Sequence, residues 1–315
     1  MIKNNISISG EYKIVISKPD GTVHESGWFS NLILNSGLDR LGYGLLPGYG
    51  GAGAPGQIYC CRVGTGTSTP DINQTSLDAQ TAAVAGSNVY QSRVNEGAPL
   101  YRTLLTYSYT FPQGAVVGNI SEVGVGWDTS GSTLFSRALI LDNLGNPTTI
   151  TLVSIDQLTV YYRLRITPTI TDTTGSVIVG STTYNFVSRP ANVAGWAGPA
   201  YVLGNNIGPD NFAVVIDQNT YVFPSGSTLG PITGSPSGAG LLAQAPVSAA
   251  AYTPGTYYRD STLTWSPSLG NVSGGIQCLY VAFGIGTTKE IAMNSTSRKY
   301  ENVLKGALES GDIIV

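Results

Sequence analysis

An alternating segment in the middle of the chain, residues 101–111, reads YRTLLTYSYTF. Successive side chains of a β-strand point to opposite faces of a sheet, so every second residue shares a face. One face of this segment carries Tyr101, Thr103, Leu105, Tyr107, Tyr109 and Phe111. Because most of these side chains are large, the segment predicts a β-strand with one face buried in a core.

A second segment, residues 158–167 with the sequence LTVYYRLRIT, has the same period. Its predicted core-facing residues are Leu158, Val160, Tyr162, Leu164 and Ile166. The intervening Arg163 and Arg165 are predicted to point outward, and we interpret them as solvated residues of the strand face. Such strands are typical of antiparallel sheets that have one buried and one solvated face.

The N-terminal region predicts a β-hairpin. Residues 11–17 alternate between apolar and polar side chains, and residues 22–28 return as a second strand. The connection at 18–21 reads KPDG, a combination of residues that favours a tight turn.

Helix is predicted only in short pieces. Residues 31–41 contain the best candidate, a short helix that Asn35 or Ser36 can cap. One further helical turn is predicted near Leu77, within residues 74–80.

Short strands separated by turn residues account for most of the remaining chain. They are predicted at residues 57–63, 120–127, 133–141 and 148–155, at hairpins 176–187 and 211–223, and at 257–265 and 275–284. The end of the chain, 299–315, is compatible with a short helix or a last strand. This spacing predicts an all-β chain of antiparallel β-sandwich domains, jelly-roll or Greek-key-like, with long loops and only short helices.

Two domains are predicted, an N-terminal β-sandwich at 1–170 and a β-rich domain at 171–315. One continuous double sheet is the alternative. The second domain contains a Gly/Ser/Pro/Ala-rich stretch at 224–256, which is too apolar for an ordinary flexible linker. This stretch is expected to lie along a surface or against a neighbouring subunit.

The composition limits the expected partners. Charged residues make up 11% of the chain, and 16 basic against 19 acidic side chains give a net charge of −3. Nucleic acid is not expected as a partner, because phosphate backbones require clusters of basic residues. Membrane insertion is not expected, since no apolar run approaches the roughly 18 residues of a spanning helix. A surface with so few charges is expected to be covered by partner subunits.

The N-terminal residues and the cysteines indicate where the protein is made. The start, MIKNNISISGEYKIVIS, lacks a basic region followed by an apolar one, so synthesis in a cytoplasm without an export signal is expected. The three cysteines, Cys60, Cys61 and Cys278, have no spacing typical of a zinc site. We expect them to be buried thiols, and we predict no metal and no cofactor.

No pattern of catalytic residues is recognisable, so we predict that the chain is not an enzyme. The only histidine, His24, lies in the first hairpin and is interpreted as a surface residue. A glycosidase needs two carboxyl groups that converge in a cleft. The acidic residues are scattered singly; those considered for such a pair are Glu122, Asp128, Asp142, Asp156 and Asp260.

Tyrosine is the residue type that most suggests recognition, because it joins a large ring to a hydrogen-bonding tip. The chain has 18 tyrosines, and several occupy core positions of predicted strands. Those in predicted loops are the candidates for partner contact: Tyr43, Tyr49, Tyr201 and Tyr252.

Several segments, taken in order, resemble a family of tailed-bacteriophage virion proteins described as tail fibre or minor structural proteins. They are GEY at 10–12, PDG at 19–21, GWFSNLILNSGLD at 27–39, VGTGT at 63–67, ISEVGVG at 120–126, LFSRA at 134–138, DQLTVYYRL at 156–164, AYTPGTYYRD at 251–260 and LTW at 263–265. The end, 299–315, lacks the Trp-containing final strand that the resemblance would lead one to expect.

This resemblance implies a non-enzymatic structural component of a bacteriophage virion, tail-associated and involved in attachment or assembly. It implies a homo-oligomer, with a trimer favoured, in contact with other virion proteins and with host surface polysaccharide or a receptor. The expected location is the virion, after synthesis in the host bacterial cytoplasm. Two alternatives remain at this point: a head or collar decoration protein, and a polysaccharide depolymerase of a phage tail.

Overall fold

A computed structural model gives the architecture of the chain. It describes residues 6–42, 58–85, 90–168, 170–179, 181–191, 221–224, 228–232, 243–244, 247–249, 251–257, 261–263, 276–281 and 288–294. The chain divides into two compact units. The N-terminal unit consists of Ile8–Val94 and Thr103–Ile166, and the C-terminal unit consists of Met1–Ser7, Asn95–Arg102 and Thr167–Val315.

Two five-stranded antiparallel sheets dominate the N-terminal unit. The first has the order β2-β1-β12-β7-β6, and the second has the order β3-β10-β9-β4-β5. The strands of the first sheet are β1 (Ile6–Ser17), β2 (Val23–Ser30), β6 (Tyr90–Glu96), β7 (Arg102–Thr110) and β12 (Gln157–Pro168). Those of the second are β3 (Leu32–Ile33), β4 (Cys60–Gly64), β5 (Gln80–Ala85), β9 (Glu122–Gly126) and β10 (Leu134–Leu139). A short ladder joins β8 (Gly118–Ile120) to β11 (Ile150–Leu152).

The core lies between the two sheets. Tyr12 of β1 shares a hydrogen bond of 2.7 Å with the Ser136 hydroxyl of β10, and Tyr109 of β7 donates to the Ile58 carbonyl at 2.8 Å. The predicted alternation is confirmed within β7 and β12, but not at Tyr101, which precedes β7 and has φ of +43°. Alternate residues of the two strands are buried. They are Leu105, Tyr107, Tyr109, Leu158, Val160, Tyr162 and Leu164. Burying each such side chain contributes about 1.5–3 kcal/mol.

The predicted N-terminal hairpin is confirmed, with an irregularity in its second strand. Strands β1 and β2 pair in register from Ser17 and Val23, and the register shifts between Lys13 and Val15. Two residues of β2, Ser26 and Gly27, face one residue of β1 at this β-bulge. The Ile14 N–H donates to the Ser26 hydroxyl at 2.9 Å, and Gly27 has φ of +69°.

The short helix is confirmed as α1 (Asn35–Gly42). The predicted caps, Asn35 and Ser36, are its first two residues, and their side chains bond outside the helix: the Ser36 hydroxyl donates to Leu134 O and the Asn35 amide to Asn73 Oδ1. The helical turn predicted within 74–80 is wrong. Residues 71–79 form turns and bends, because the backbone N–H groups of Asp78 and Ala79 donate to a buried carboxylate and not along a helix.

The described part of the C-terminal unit is also antiparallel β-structure. One sheet has the order β13-β14-β20-β19-β15-β16, and β17 pairs with β18. The strands are β13 (Thr173–Val179), β14 (Thr182–Ala191), β15 (Tyr221–Pro224), β16 (Ala243–Gln244), β17 (Val247–Ala249), β18 (Ser261–Leu263), β19 (Ile276–Val281) and β20 (Thr288–Asn294). Most of the predicted hairpin 211–223, and all of 299–315, lie outside the described residues.

The all-β prediction is therefore confirmed. Parts of the Gly/Ser/Pro/Ala-rich stretch, β16 and β17, are paired strands. All three cysteines are buried free thiols, as predicted. Within the described ranges, no helix is long and apolar enough to cross a membrane.

Candidate functional site

Of the four tyrosines proposed for partner contact, Tyr252 alone lies among the described residues. Tyr43, Tyr49 and Tyr201 lie outside the described residues. Tyr252 is only 9% exposed, and its hydroxyl accepts a hydrogen bond from the Tyr257 N–H at 3.3 Å. Most of the Tyr252 ring is therefore buried against its own chain. Tyr257 is 43% exposed and was not singled out by the sequence, because its loop position is evident only once the strands are placed.

The scattered acidic residues have different environments. Glu122 and Asp156 are buried, whereas Asp128 and Asp142 are exposed. Asp260 lies outside the described residues. No group of three or more His, Cys, Asp or Glu side chains that could hold a metal occurs within the described part of the chain.

Glu122 belongs to a buried ionic cluster, together with Arg137 and Asp78. Glu122 and Arg137 are both fully excluded from solvent, and Arg137 Nη2 lies 2.9 Å from Glu122 Oε2. The same nitrogen lies 2.7 Å from Asp78 Oδ2, which is partly exposed. Partial burial of Asp78 disfavours its charge, but hydrogen bonds from Ser68 and the charge of Arg137 outweigh this effect and lower the pKa of Asp78.

The Glu122 carboxylate also organises the loop between β4 and β5. It accepts hydrogen bonds from the backbone N–H groups of Gly66 at 3.0 Å, Ala79 at 2.8 Å and Asp78 at 3.1 Å. Gly66 is required sterically, because a Cβ there would lie 2.5 Å from Glu122 Oε1. With its acceptor sites occupied in this way, Glu122 anchors a loop and is not placed for proton transfer to a substrate.

A second buried arginine, Arg62 of β4, fixes the loop between β9 and β10. Its guanidinium donates to the carbonyl oxygens of Ser130 and Gly131, each at 2.8 Å, and of Asp128 at 2.9 Å. It also donates to the Thr133 hydroxyl. A charge-assisted bond contributes more than a neutral one, so this loop is held firmly although it consists largely of turn residues.

A third buried cluster is built on tyrosine hydroxyls. The rings of Tyr12 and Tyr162 lie 5.0 Å apart between centroids. The Asn31 amide donates to the Tyr162 hydroxyl at 3.4 Å, and a Cβ on Gly10 would lie 2.7 Å from that hydroxyl. Together with the bond from Tyr12 to Ser136, these contacts join both sheets of the N-terminal unit.

On the outer face of the first sheet, two arginines that were predicted to be solvated are partly covered by other side chains. Arg163 and Arg165 are half-buried and not freely solvated. The Arg163 guanidinium stacks 3.7 Å from the centre of the Trp28 ring, and Arg165 Nη1 lies 2.6 Å from Glu11 Oε2. Planar guanidinium groups stack well on aromatic rings, which explains why an outward-facing strand position can still be covered.

Four exposed aliphatic side chains lie on or next to three neighbouring turns of the N-terminal unit. Lys18 Nζ lies 3.3 Å from Asp156 Oδ1, and the Gly114 N–H donates to Asp156 O at 3.2 Å, so turns 18–22, 112–117 and 153–156 are neighbours. The exposed residues on or next to these turns form what we call the aliphatic end: Val23, Val117, Val153 and Ile155. Their exposed fractions lie between 48% and 60%. Clusters of exposed apolar side chains mark interaction sites in soluble proteins.

A groove of about 470 Å³ lies beside the first hairpin. Its lining includes Ile14, Ile16 and Ile150, of which Ile14 and Ile16 are almost completely buried, and polar side chains from the hairpin and from the segment around β11. The polar wall residues are Lys18, His24, Glu25, Ser26, Asp142, Asn143, Thr148, Thr149 and Thr151. His24 is exposed, as predicted, and its position in the hairpin does not by itself indicate that it lines a groove.

No protein-family model, curated protein or solved structure matches this chain.

Proposed function

We propose that the chain is a non-enzymatic structural component of a bacteriophage virion, associated with the tail and acting in assembly or attachment. The observation that carries the proposal is the convergence of the segments that resemble tail fibre and minor structural proteins. VGTGT supplies Gly66, ISEVGVG supplies Glu122 and LFSRA supplies Arg137, and these three residues meet in the buried ionic cluster.

Further N-terminal segments meet in the tyrosine cluster. GEY supplies Tyr12, LFSRA supplies Ser136, and DQLTVYYRL supplies Tyr162. The long segment at 27–39 supplies Asn31. The segments on which the resemblance rests thus include residues that hold the two sheets together. The convergence therefore supports the resemblance as one of fold, and with it the virion role.

The aliphatic end supports assembly. Its side chains are held on turns that an ion pair and backbone hydrogen bonds fix in place, so they form a preorganised apolar surface. We propose that another copy of the chain covers it, in a homo-oligomer with a trimer favoured. Other virion proteins and a host polysaccharide or receptor are the further proposed partners. A head or collar decoration protein would need the same features, so the position on the particle has to be measured.

The test is made on particles purified from a lysate of the host that produces the protein. We expect mass spectrometry to find the chain in the particle fraction at a fixed ratio to the major capsid protein. We expect cryo-electron microscopy to locate its density on the tail, whereas density on the head or collar would favour the decoration alternative. Abundant chain in the lysate without any in the particles would overturn the virion role.

A tail polysaccharide depolymerase is the second candidate, and the groove is the observation that favours it. Two carboxylates, Glu25 and Asp142, line this groove. However, Glu25 is paired with Lys13 at 3.1 Å, and hydrogen bonds from Asn146 and Leu144 lower the pKa of Asp142. A general acid for glycoside cleavage needs a raised pKa, so Asp142 is suited to holding its turn and not to donating a proton.

The depolymerase candidate is tested by incubating the full chain with capsular polysaccharide of the host and measuring new reducing ends. Glu25→Gln and Asp142→Asn are the matched variants. We expect no release from any of the three proteins. Release by the unmodified chain that both variants abolish would establish the enzyme instead.

A further inference from the structure

Arg163, on the outer face of the first sheet, has a charge that no carboxylate among the described residues balances. The neighbouring cations are paired, Lys13 with Glu25 at 3.1 Å and Arg165 with Glu11 at 2.6 Å. Arg163 makes no ion pair with another described residue, and its Nε is buried without a hydrogen-bond partner. A buried donor without an acceptor is costly, so an acceptor supplied by a ligand would stabilise this arrangement.

The Arg163 side chain is also held in position before any ligand arrives. Its guanidinium stacks 3.7 Å from the centre of the Trp28 ring, which covers one of its faces. A guanidinium fixed in this way loses little conformational freedom on binding, and its N–H groups form a planar fork at its edge. Thr106 lies directly opposite Arg163 in the β7–β12 ladder, so its hydroxyl lies on the same face of the sheet.

The geometry and the charge of this place favour one kind of anion. Two coplanar oxygens match the edge of a guanidinium and can accept two parallel hydrogen bonds, as in bidentate arginine–carboxylate pairs. A phosphate also presents suitable oxygens but carries more negative charge. Because Glu11 and Glu25 already balance Arg165 and Lys13, Arg163 alone adds one unbalanced positive charge. A monoanion with a planar pair of oxygens therefore fits best.

We infer that Arg163 forms a binding site for a carboxylate, with Trp28 behind the guanidinium and the Thr106 hydroxyl as a further donor. Such a carboxylate belongs to an acidic side chain of a protein segment or to a small organic acid, and the experiment separates these two sources. The inference does not depend on the virion role, which the measurements on purified particles test separately.

The test uses the full chain labelled with ¹⁵N and follows the side-chain N–H signals of Arg163 and Trp28. The probes are sodium acetate and a glycine peptide, blocked at both ends, with one central glutamate. The same peptide with glutamine is the neutral control, and sodium chloride keeps the ionic strength constant. We expect saturable shifts with both carboxylates and none with the glutamine peptide. Absence of saturable shifts with both carboxylates would overturn the inference.

The relative affinities identify the source and the chemistry of the anion. Tighter binding of the glutamate peptide than of acetate would support a protein carboxylate, and tighter binding of acetate would support a small organic acid. Inorganic phosphate is titrated under the same conditions. If phosphate binds more tightly than both carboxylates, the assignment to a carboxylate is wrong.

Three variants locate the site through the Trp28 signal. Arg163→Gln should abolish its response, and Arg163→Lys should weaken binding about fivefold, because an ammonium group keeps the charge but lacks the planar fork. Arg40→Gln is the matched control, since Arg40 also lies over a tryptophan ring, 4.8 Å from the centre of Trp127. This variant should bind like the unmodified chain.

The lysine variant decides the question if the glutamine variant does not fold. Binding by Arg163→Lys as tight as that of the unmodified chain would show that the planar fork has no role and would refute the site. A loss of response in Arg40→Gln equal to that in the Arg163 variants would likewise refute it, because the effect would then follow from net charge.

Discussion

Glu122 and Arg137 lie on neighbouring strands with no exposure to solvent, and their side chains form an ion pair of 2.9 Å. Both charges are compensated further, Glu122 by three backbone N–H groups and Arg137 by Asp78, Gln74 and Ser68. Burying two charges is costly unless their remaining hydrogen-bonding capacity is used, and here it is used to hold the β4–β5 loop on the sheet.

Replacing Glu122 by Gln should destabilise the N-terminal unit strongly. The variant leaves the Arg137 charge buried with only partly exposed Asp78 as a counter-ion, and breaking a buried pair typically costs about 3–5 kcal/mol. Urea unfolding followed by tryptophan fluorescence measures the loss. Glu25→Gln is the matched control, because its pair with Lys13 is exposed and should cost at most about 1 kcal/mol. Equal losses for the two variants would show that the buried cluster has no special role.

Gly66→Ala should also be destabilising, through a steric conflict with the same carboxylate. A Cβ at Gly66 would lie 2.5 Å from Glu122 Oε1, so the cluster must shift to accommodate it. Overpacking of this kind costs about 1–3 kcal/mol. Gly97→Ala is the control, since a Cβ there meets nothing within 4 Å. The free energies of unfolding from urea titrations of both variants test the expectation, and a Gly66→Ala variant as stable as Gly97→Ala would contradict it.

The strands could be predicted from the sequence because their signal is local. The alternation of Leu105, Tyr107 and Tyr109 follows directly from the two-residue period of a strand, and KPDG specifies the first turn without reference to the rest of the chain. The helical turn near Leu77 was wrong because the distant Glu122 takes the N–H groups that a helix would use.

The sites could not be predicted, because they join residues far apart in sequence. Glu122 looked like any other isolated acidic residue until Arg137 and Gly66 were placed beside it. Likewise, the periodicity that predicts Arg163 to point outward contains no information about Trp28, which covers it from another strand. Pairing between strands decides both environments.

The buried tyrosines predict a loss of stability at alkaline pH. Burial raises the pKa of Tyr162 to about 12, and burial together with the nearby Tyr162 raises the pKa of Tyr12 well above its usual value. Phenols of the unfolded chain ionise near pH 10. The contribution of Tyr162 is therefore complete below about pH 10 and is lost as the pH rises towards 12, amounting to roughly 2–3 kcal/mol.

Urea unfolding at about pH 8, 10 and 12 measures this dependence. Tyr162→Phe should reduce the alkaline loss, since the phenol that ionises in the unfolded chain is gone. Tyr161→Phe, one residue away on the outer face of the same strand, is the control and should retain the loss in full. Identical pH profiles for both variants would contradict a role for Tyr162.

The aliphatic end predicts that the chain associates with itself through identifiable residues. Val117 and Ile155 are each more than half exposed on fixed turns. Burying a fully exposed aliphatic side chain contributes about 1.5–3 kcal/mol, so covering the exposed part of each contributes roughly half of that. Mass photometry or sedimentation at micromolar concentration should show an oligomer, with a trimer expected. Val117→Asp combined with Ile155→Asp should dissociate it, because each buried carboxylate would lack a partner.

Ile72→Asp is the control for added charge, since Ile72 is 40% exposed but lies in a different loop. This variant should keep the oligomer of the unmodified chain. If the Ile72 variant dissociates as readily as the double variant, added negative charge and not the aliphatic end explains the effect. A monomeric unmodified chain, together with single copies of it in micrographs of the particle, would refute self-association altogether. Symmetric association is the usual way in which a chain covers an apolar surface of its own, so the oligomer and its loss in the double variant must be observed together.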